Sequence, residues 1–283
     1  MNKAVNYWDD SWKRLQRNKL AIFGLLILTL LLIFAIIGPS FSSYTYYETN
    51  LSSKNLPPSL IHPFGTDELG RSLFVRIWWG ARISLFIGIS AALIDMVLGV
   101  FYGGIAGLLG GKIEEVMMRF IDLFHSLPHL LIVILLTVIM EQGICTIIIA
   151  MTLTGWITMA RIVRAQILSL KELDFITAAR SIGASQTRIL LKHLIPNCFG
   201  TIITTMTLTI PQAIFTEAFL SFLGLGVQAP IASWGTMASD GLSALTFFPW
   251  RLFFPAAFIS ATMLAFNLLG DGLREAFDPL FRK

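Results

Sequence analysis

The sequence is poor in charged residues. Asp, Glu, Lys and Arg make up 13% of the 283 residues, whereas 55% are hydrophobic and 22 are Phe. A soluble domain is roughly 25% charged. Residues 20–37 carry no charge at all, and at about 1.5 Å per residue such a helix nearly spans a hydrocarbon core roughly 30 Å thick. The composition therefore excludes a soluble domain and indicates an integral membrane protein.

Cysteine is scarce as well. Cys145 and Cys198 each lie at the edge of an apolar run, so we interpret both as packing residues and expect no disulfide framework. The N-terminus has no arrangement of charged region, short apolar segment and small-residue cleavage site. We therefore expect the first apolar run to remain as a membrane anchor.

The chain lacks a nucleotide-binding loop. Its nearest approach is Gly110-Gly111-Lys112, but Ala106 stands where the motif has its first glycine and Ile113 stands where it has a hydroxyl. Neither the phosphate cradle nor the magnesium-binding hydroxyl is complete. We therefore expect no nucleotide hydrolysis by this chain alone.

A metal site is also not expected. His125 and His129 have the spacing of two ligands on one helix, but Pro128 lies between them and no third soft ligand is near in sequence. The pattern favours a helix break at the membrane edge.

Apolar runs predict an all-α membrane protein with six transmembrane helices. The predicted spans are residues 20–38, 83–109, a third that ends near 140 and is interrupted near Pro128, 144–159, 199–222 and 252–269. The predicted organisation is a head (1–19), the first helix (20–38), an extracytoplasmic segment (40–79), a five-helix core (80–278) containing a loop (165–197), and a tail (279–283).

Lysine and arginine set the predicted orientation. With the head inside the cell, 16 of the 21 Lys and Arg fall in inside segments and 5 in outside segments. Both termini and the loop at 165–197 are therefore predicted to be cytoplasmic.

Four glycines recur every four residues in the second span: Gly99, Gly103, Gly107 and Gly111. Small residues at this spacing form a groove along one face of a helix, and a neighbouring backbone can approach there closely. We expect this face to serve helix packing and to bind no ligand.

Two carboxylates are predicted inside spans, Asp95 and Glu217. A charge at the bilayer centre costs about 2.5 to 3.5 kcal/mol, so both should face the protein interior or a wet cavity. One hypothesis is that one of them lines a path through the membrane. The other is an interhelical hydrogen bond or a pairing across a subunit interface.

The polar stretch at 173–197 lies between two apolar spans and must face water. A short helix should end at Gly183, and a second should break near Pro196. Ala178 and Ala179 beside Arg180 could let another protein approach closely, as expected of a docking element.

The order of Ala178-Ala179, Gly183 and Pro196 resembles the cytoplasmic "EAA" loop in permease subunits of ATP-binding-cassette importers. The resemblance implies that the first helix of this loop couples the permease to an ATP-hydrolysing subunit. Thr177 replaces the family's Glu and removes a carboxylate that could form a salt bridge. The residues that the resemblance assigns to coupling are Asp174, Phe175, Thr177, Ala178, Ala179, Arg180, Gly183 and Ala184.

Further segments resemble permeases of the dipeptide, oligopeptide and nickel branch of these importers, and the outer Phe-Gly-Thr-Asp segment resembles the second of two paired permeases. These segments are Phe64-Gly65-Thr66-Asp67-Glu68-Leu69-Gly70-Arg71, Gly80-Ala81-Arg82-Ile83-Ser84-Leu85, Arg119-Phe120-Ile121-Asp122, Gly183-Ala184-Ser185, Phe222-Leu223-Gly224-Leu225-Gly226 and Leu268-Leu269-Gly270-Asp271-Gly272-Leu273-Arg274.

The resemblance implies the type I importer architecture and ATP-driven import of dipeptides or oligopeptides by alternating access, with nickel or a metal chelate left open. The implied partners are a second permease, two ATPase subunits that hold ATP and Mg, and an extracytoplasmic binding protein. We expect contact with membrane lipid and none with nucleic acid. The implied location is a bacterial cytoplasmic membrane.

A different class, the ion-coupled secondary transporter, would require paired broken helices in two similar halves and several buried carboxylates. The sequence has no internal repeat and two candidate buried carboxylates. This class is therefore the less favoured alternative.

Overall fold

The computed structural model describes residues 7–277, and for residues 7–9 it describes the backbone alone. The start of the predicted head, Asp278 and the predicted tail at 279–283 lie outside the described residues. Within 7–277 the regular structure is helical, apart from one isolated bridge between Thr66 and Ser72.

Eleven α-helices occur in the described part of the chain. They are α1 (Tyr7–Arg17), α2 (Lys19–Ile37), α3 (Leu73–Leu109), α4 (Gly111–His125), α5 (His129–Ile139), α6 (Ile144–Lys171), α7 (Asp174–Ser181), α8 (Gln186–Ile189), α9 (Ile195–Phe222), α10 (Trp234–Leu242) and α11 (Trp250–Phe277).

Five helical segments between residues 7 and 277 are long and apolar enough to cross a membrane. They are Lys19–Phe41, Leu73–Leu109, Ile144–Lys171, Gln186–Phe222 and Trp250–Phe277. Helices α4 and α5 form a sixth candidate as a pair bent by 72°, and Pro128 is the residue immediately before α5. The predicted all-α membrane fold is confirmed, and its third span is broken where proline was expected to interrupt it.

Several helices extend beyond the apolar runs that marked them. Helix α3 begins ten residues before the predicted start of the second span, and α6 continues past Met159 to Lys171. Arg161 and Arg164 therefore lie on α6 and not in a loop. Their guanidinium groups pair with Asp122 at 2.9 Å and with Glu114 across to α4. Hydropathy marks only the part of a helix that lies in lipid, so it misses ends in water.

The predicted helix break at Pro196 is wrong. A π-helical turn at Leu190–Leu194 joins α8 to α9, and Pro196 lies in the first turn of α9. Proline is tolerated at a first helical turn, and the wider π turn breaks the regular hydrogen-bond register just before it. The coupling loop is consequently shorter than predicted, because residues 165–171 and 195–197 are helical.

The loop predicted at 223–250 contains an additional helix, α10. Ser233 caps its N-terminus: the Ser233 hydroxyl accepts from the Thr236 backbone N–H, and the Thr236 hydroxyl accepts from the Ser233 backbone N–H. This reciprocal cap satisfies two backbone donors at the start of a short helix.

The two cysteines have different environments. Cys198 is buried in the core beside α6 and α9, as interpreted, but Cys145 is exposed at the start of α6. Of the two cysteines, only Cys198 therefore packs in the interior of this chain, as the sequence predicted for both.

Three of the four spaced glycines form a tight seam between α3 and α6. A methyl group on Gly99 would lie 2.5 Å from Met159 Cβ, and one on Gly103 would lie 2.9 Å from the carbonyl carbon of Ala160. Gly107 faces Ile167 in the same way. Here α6 lies directly against the α3 backbone.

Gly111 does not belong to this seam. It follows the end of α3 and has a φ of +58°, and a methyl group on it would have no neighbour within 4 Å among the described residues. This left-handed conformation, at the turn between α3 and α4, favours glycine because glycine has no Cβ. The prediction that Gly111 packs against a neighbouring helix is wrong.

We predict that Gly103→Ala impairs folding, because the new methyl group meets the rigid backbone of Ala160. The matched control is Gly104→Ala, where the nearest atom would be 3.6 Å away. Thermal stability of the solubilised protein should fall by several degrees for Gly103→Ala and stay near wild type for Gly104→Ala. Equal stability of the two variants would contradict the seam.

Candidate functional site

Helix α7 is the short helix predicted in the docking loop. Asp174 lies in the first turn of α7 and Arg180 in its last turn. The helix dipole favours a negative side chain at the N-terminal end and a positive one at the C-terminal end, so both charges stabilise the helix. Gly183 ends the helix with a φ of +82°. The Ala184 N–H bonds to the Ala179 carbonyl at 3.1 Å, and the Gly183 N–H bonds to the Arg180 carbonyl at 2.9 Å. This is a Schellman motif, and the predicted glycine stop is confirmed.

One face of α7 packs against its own chain. Ile176 is 0% exposed and Ala179 is 6% exposed, and Ile176 belongs to a core cluster with Ile167 of α6 and Ile189 of α8. Residues three apart lie on the same helical face, so burying Ile176 buries Ala179 too. The prediction that Ala179 offers a small-residue surface to another protein is wrong.

The opposite face of α7 is open. Phe175 is 41% exposed, and Ile182, just after the helix, is 87% exposed. Sequence reasoning missed Ile182, although an apolar residue immediately before a helix-ending glycine was a visible signal. Ala184 is half-buried. Six of the residues that the family resemblance assigns to coupling are exposed: Asp174, Phe175, Thr177, Ala178, Arg180 and Gly183. We call this set together with Ile182 the α7 outer face.

The base of α7 is joined to α3 through Lys171, which the sequence did not single out. Lys171 is the last residue of α6, and its Nζ donates to the carbonyls of Leu108 at 2.7 Å and Gly107 at 3.3 Å. A lysine at this position satisfies carbonyls that the end of α3 leaves free and complements its dipole. The end of α6, three residues before α7, is therefore attached to the end of α3.

Glu217 lies inside the chain at the meeting point of α3, α9 and α10. It is 0% exposed, and its Oε1 accepts from Ser221 Oγ at 2.8 Å and from Ser233 Oγ at 2.6 Å. Ser84 Oγ lies 3.4 Å from its Oε2 and accepts from the Trp234 N–H. We call Glu217 with Ser84, Ser221 and Ser233 the glutamate–serine network. These contacts favour the interhelical hydrogen-bond hypothesis for Glu217.

Asp95 is buried between α3 and α6. Its side chain is 6% exposed and lies over Gly155, where a Cβ would be 2.8 Å from the carboxyl carbon. Gly155 thus provides the space that the carboxyl group occupies. The role of Asp95 or Glu217 in lining a path stays a prediction, and the contacts of both are internal to this chain.

The two histidines considered as metal ligands lie on different helices. His125 ends α4 and His129 begins α5 across the 72° bend, and the His129 ring is hydrogen-bonded to the Thr154 hydroxyl. Across residues 7–277 there is no group of three or more His, Cys, Asp or Glu placed to hold a metal ion.

Ion pairs and aromatic contacts fix the segment between α2 and α3. Asp67 pairs with Arg71 at 2.6 Å and lies 3.6 Å from Arg76, while Arg251 of α11 reaches Glu68 at 3.3 Å. Burial raises the pKa of Asp240 on nearby α10, and the Arg76 cation opposes that rise. The same segment exposes the apolar side chains of Leu60 and Ile61.

A cavity of about 640 Å³ opens between α6, α9 and the end of α11. Uncharged polar side chains dominate its lining, although the three helices are long and apolar overall. We call it the α6–α9 groove. Sequence reasoning missed it because the polar residues of α9 are spread through an apolar run.

The chain matches two described protein families. Residues 99–283 match the binding-protein-dependent transport system inner membrane component, and residues 6–58 match the N-terminal TM domain of oligopeptide transport permease C.

Curated relatives match nearly the whole chain. The oligopeptide transport system permease protein OppC of Bacillus subtilis is 57% identical over 99% of this chain and 92% of its own length. The dipeptide transport system permease protein DppC of the same species is 56% identical over 99% of this chain and 88% of its own length. OppC of Escherichia coli is 43% identical over 96% of this chain and 91% of its own length.

A solved structure supports the fold alone. The MetNI methionine ABC transporter in inward-facing conformations contains a chain with a TM-score of 0.58 and 16% identity, covering 72% of this chain and 96% of that one.

We predict that Glu217→Leu destabilises the protein, because the hydroxyls of Ser84, Ser221 and Ser233 lose their shared acceptor. A buried polar group left without a partner costs about 1–3 kcal/mol. Glu217→Gln keeps an acceptor oxygen and should lose less. Thermal denaturation of the solubilised complex measures both. A Leu variant as stable as wild type would show that the network contributes nothing.

Proposed function

This chain belongs to the family of binding-protein-dependent transport system inner membrane components, and on that premise we propose that it is a transmembrane subunit of an ATP-driven importer of dipeptides or oligopeptides. The supporting observation is identity of 57% and 56%, along 99% of the chain, with oligopeptide and dipeptide permeases of B. subtilis. As a bacterial inner membrane component, the chain is a permease and not an enzyme.

Energy comes from partner subunits. An importer of this family works with ATPase and permease partners. In the proposed complex this chain pairs with a second homologous permease and with two ATPase subunits that bind ATP and Mg. A binding protein outside the membrane delivers the peptide. Its proposed landing surfaces are residues 40–79 and 223–250, which include the exposed Leu60, Ile61 and Phe247.

The α7 outer face is the proposed contact with an ATPase subunit. The apolar side chains of Phe175 and Ile182 enter a groove on the ATPase subunit. The charged side chains of Asp174 and Arg180 keep this surface hydrated before the subunits assemble. Exposed apolar side chains clustered with polar neighbours are typical of protein interaction sites. The buried Ile176 and Ala179 hold α7 to the bundle, so a push on the outer face moves α7 as a rigid body.

Movement of α7 would reach two spans at once. Helix α6 leads into α7 through two residues, and Lys171 joins the same point to the end of α3. Closure of the ATPases on ATP would therefore shift α3 and α6 together, as rigid-body switching requires. We propose that this shift changes the permease pair between inward-facing and outward-facing states, with both termini of this chain cytoplasmic.

The proposed function is tested by peptide uptake in proteoliposomes that contain the complete complex. We predict ATP-dependent accumulation of a labelled tripeptide, but no ATP hydrolysis by this chain purified alone. Uptake of nickel or a metal chelate without peptide would favour the other substrate class of this branch. Uptake driven by an ion gradient without ATP would contradict the proposal.

We predict that Arg180→Glu and Ile182→Asp each reduce peptide uptake and ATP hydrolysis by the complex about tenfold or more, because a misplaced charge at an interface costs several kcal/mol. Membrane insertion should be unchanged, since both side chains are exposed. The control is Lys112→Glu, a charge reversal on exposed α4. Normal uptake by both variants would exclude the α7 outer face from coupling.

A bulky residue at position 179 should act differently. We predict that Ala179→Trp lowers the yield of folded protein, because Ala179 is buried against its own chain. Protein recovered after solubilisation, measured by size-exclusion chromatography, distinguishes misfolding from uncoupling. A folded Ala179→Trp chain that only uncouples transport would place Ala179 at the partner interface.

A further inference from the structure

The α6–α9 groove carries a regular row of polar groups on a membrane-spanning helix. Six polar residues of α9 line it, and they follow one another at intervals of one, three or four positions. This spacing places them on one helical face, over about 22 Å at 1.5 Å per residue. They are Asn197, Thr201, Thr204, Thr205, Thr209 and Gln212.

The facing wall continues the same chemistry. Thr158 and Gln166 of α6 also line the groove, and its volume of about 640 Å³ lies in the range of roughly 300–1,000 Å³ that is typical of small-molecule sites. Arg274 of α11 is the one charged side chain among the lining residues within the described part of the chain. The groove therefore presents uncharged polar groups on a partly apolar surface and is nearly neutral.

Two of the threonine hydroxyls of α9 donate their protons to backbone carbonyls of the same helix. Thr204 Oγ1 donates to the Gly200 carbonyl and Thr209 Oγ1 to the Thr205 carbonyl, both at 2.9 Å. A hydroxyl that donates its proton in this way keeps its oxygen lone pairs as acceptors. Thr204 is buried, but Thr205 and Thr209 are half-buried and line the groove, so their oxygens are available to N–H donors. The amides of Gln166 and Gln212 offer donors as well as acceptors.

We propose that the α6–α9 groove binds the main chain of an extended peptide. Peptide N–H groups donate to the threonine oxygens of α9, and peptide carbonyls accept from the side-chain amides of Gln166 and Gln212. This inference rests on the proposed function and adds the mode of recognition. Contacts to the main chain do not depend on peptide sequence, and a nearly neutral lining neither selects nor rejects charged side chains.

Other occupants fit the groove less well. The side-chain amides of Gln166 and Gln212 would lose their hydrogen bonds to water if the groove faced lipid, at a large free-energy cost. A tightly packed partner helix favours small residues at its contact, whereas Gln166, Asn197 and Gln212 project long side chains around an open volume.

The test uses the complete complex in proteoliposomes and a double variant, Thr205→Val with Thr209→Val. Valine keeps the shape of threonine and removes the acceptor oxygen. The matched control is Thr207→Val on the same helix, because Thr207 makes the same type of bond, to the Ile203 carbonyl at 2.8 Å, but does not line the groove. The probes are a labelled tripeptide and the same tripeptide with N-methylated peptide bonds.

We expect the double variant to lower tripeptide uptake about tenfold, because it loses one or two hydrogen bonds to the peptide. Uptake by the Thr207→Val control should stay within about twofold of wild type. Wild type should discriminate against the N-methylated tripeptide, which lacks N–H donors, and the double variant should lose that discrimination. Co-purification with the second permease and basal ATP hydrolysis should be unchanged.

Two results would overturn the inference while leaving the proposed function intact. One is a double variant that takes up the tripeptide as fast as wild type and still discriminates against the N-methylated tripeptide. The other is loss of co-purification with the second permease in that variant, which would identify the groove as a subunit interface. Wild-type complex that accumulates no tripeptide would instead reject the proposed function, and the inference with it.

Discussion

The seam between α3 and α6 is the constraint on which the rest of the structure depends. Gly99, Gly103 and Gly107 leave the C-terminal part of one face of α3 without side chains, so that α6 lies directly against the α3 backbone there. Lipid offers no hydrophobic driving force between helices, and close van der Waals contact takes its place. Because α6 continues into α7, the position of the α7 outer face is set by this seam.

Helix α7 and the residue that follows it combine two opposite requirements within nine residues. Its inner face must be fixed to the bundle, and Ile176 and Ala179 meet that need. Its outer face must remain available to a partner, and Phe175 and Ile182 stay exposed. Lys171 adds a bond to α3 at the same corner. These contacts couple a small surface patch to two long helices, as a rigid coupling element requires.

Local features of the sequence were predictable, and contacts between distant residues were not. Gly183 ends α7 because glycine alone adopts a φ of +82° without strain, and proline marked the break before α5. The burial of this face of α7 depends on the packing of Ile176 with Ile167 and Ile189, which lie on the neighbouring helices α6 and α8. The end of α3 lay between glycines of equal spacing, so periodicity could not separate Gly107 from Gly111. Helix α10 and the π turn before Pro196 likewise depend on packing.

The glutamate–serine network has a consequence for biogenesis. Ser233 belongs to the start of α10, so Glu217 obtains its shortest hydrogen bond, 2.6 Å, only after α10 has folded back between α3 and α9. A chain whose spans are inserted but whose α10 is not yet docked lacks this bond, and its Glu217 carboxyl group keeps only the hydroxyls of Ser221 and Ser84 as donors. The Ser233 bond therefore forms as a late step of folding and distinguishes a finished chain from one whose α10 is still undocked.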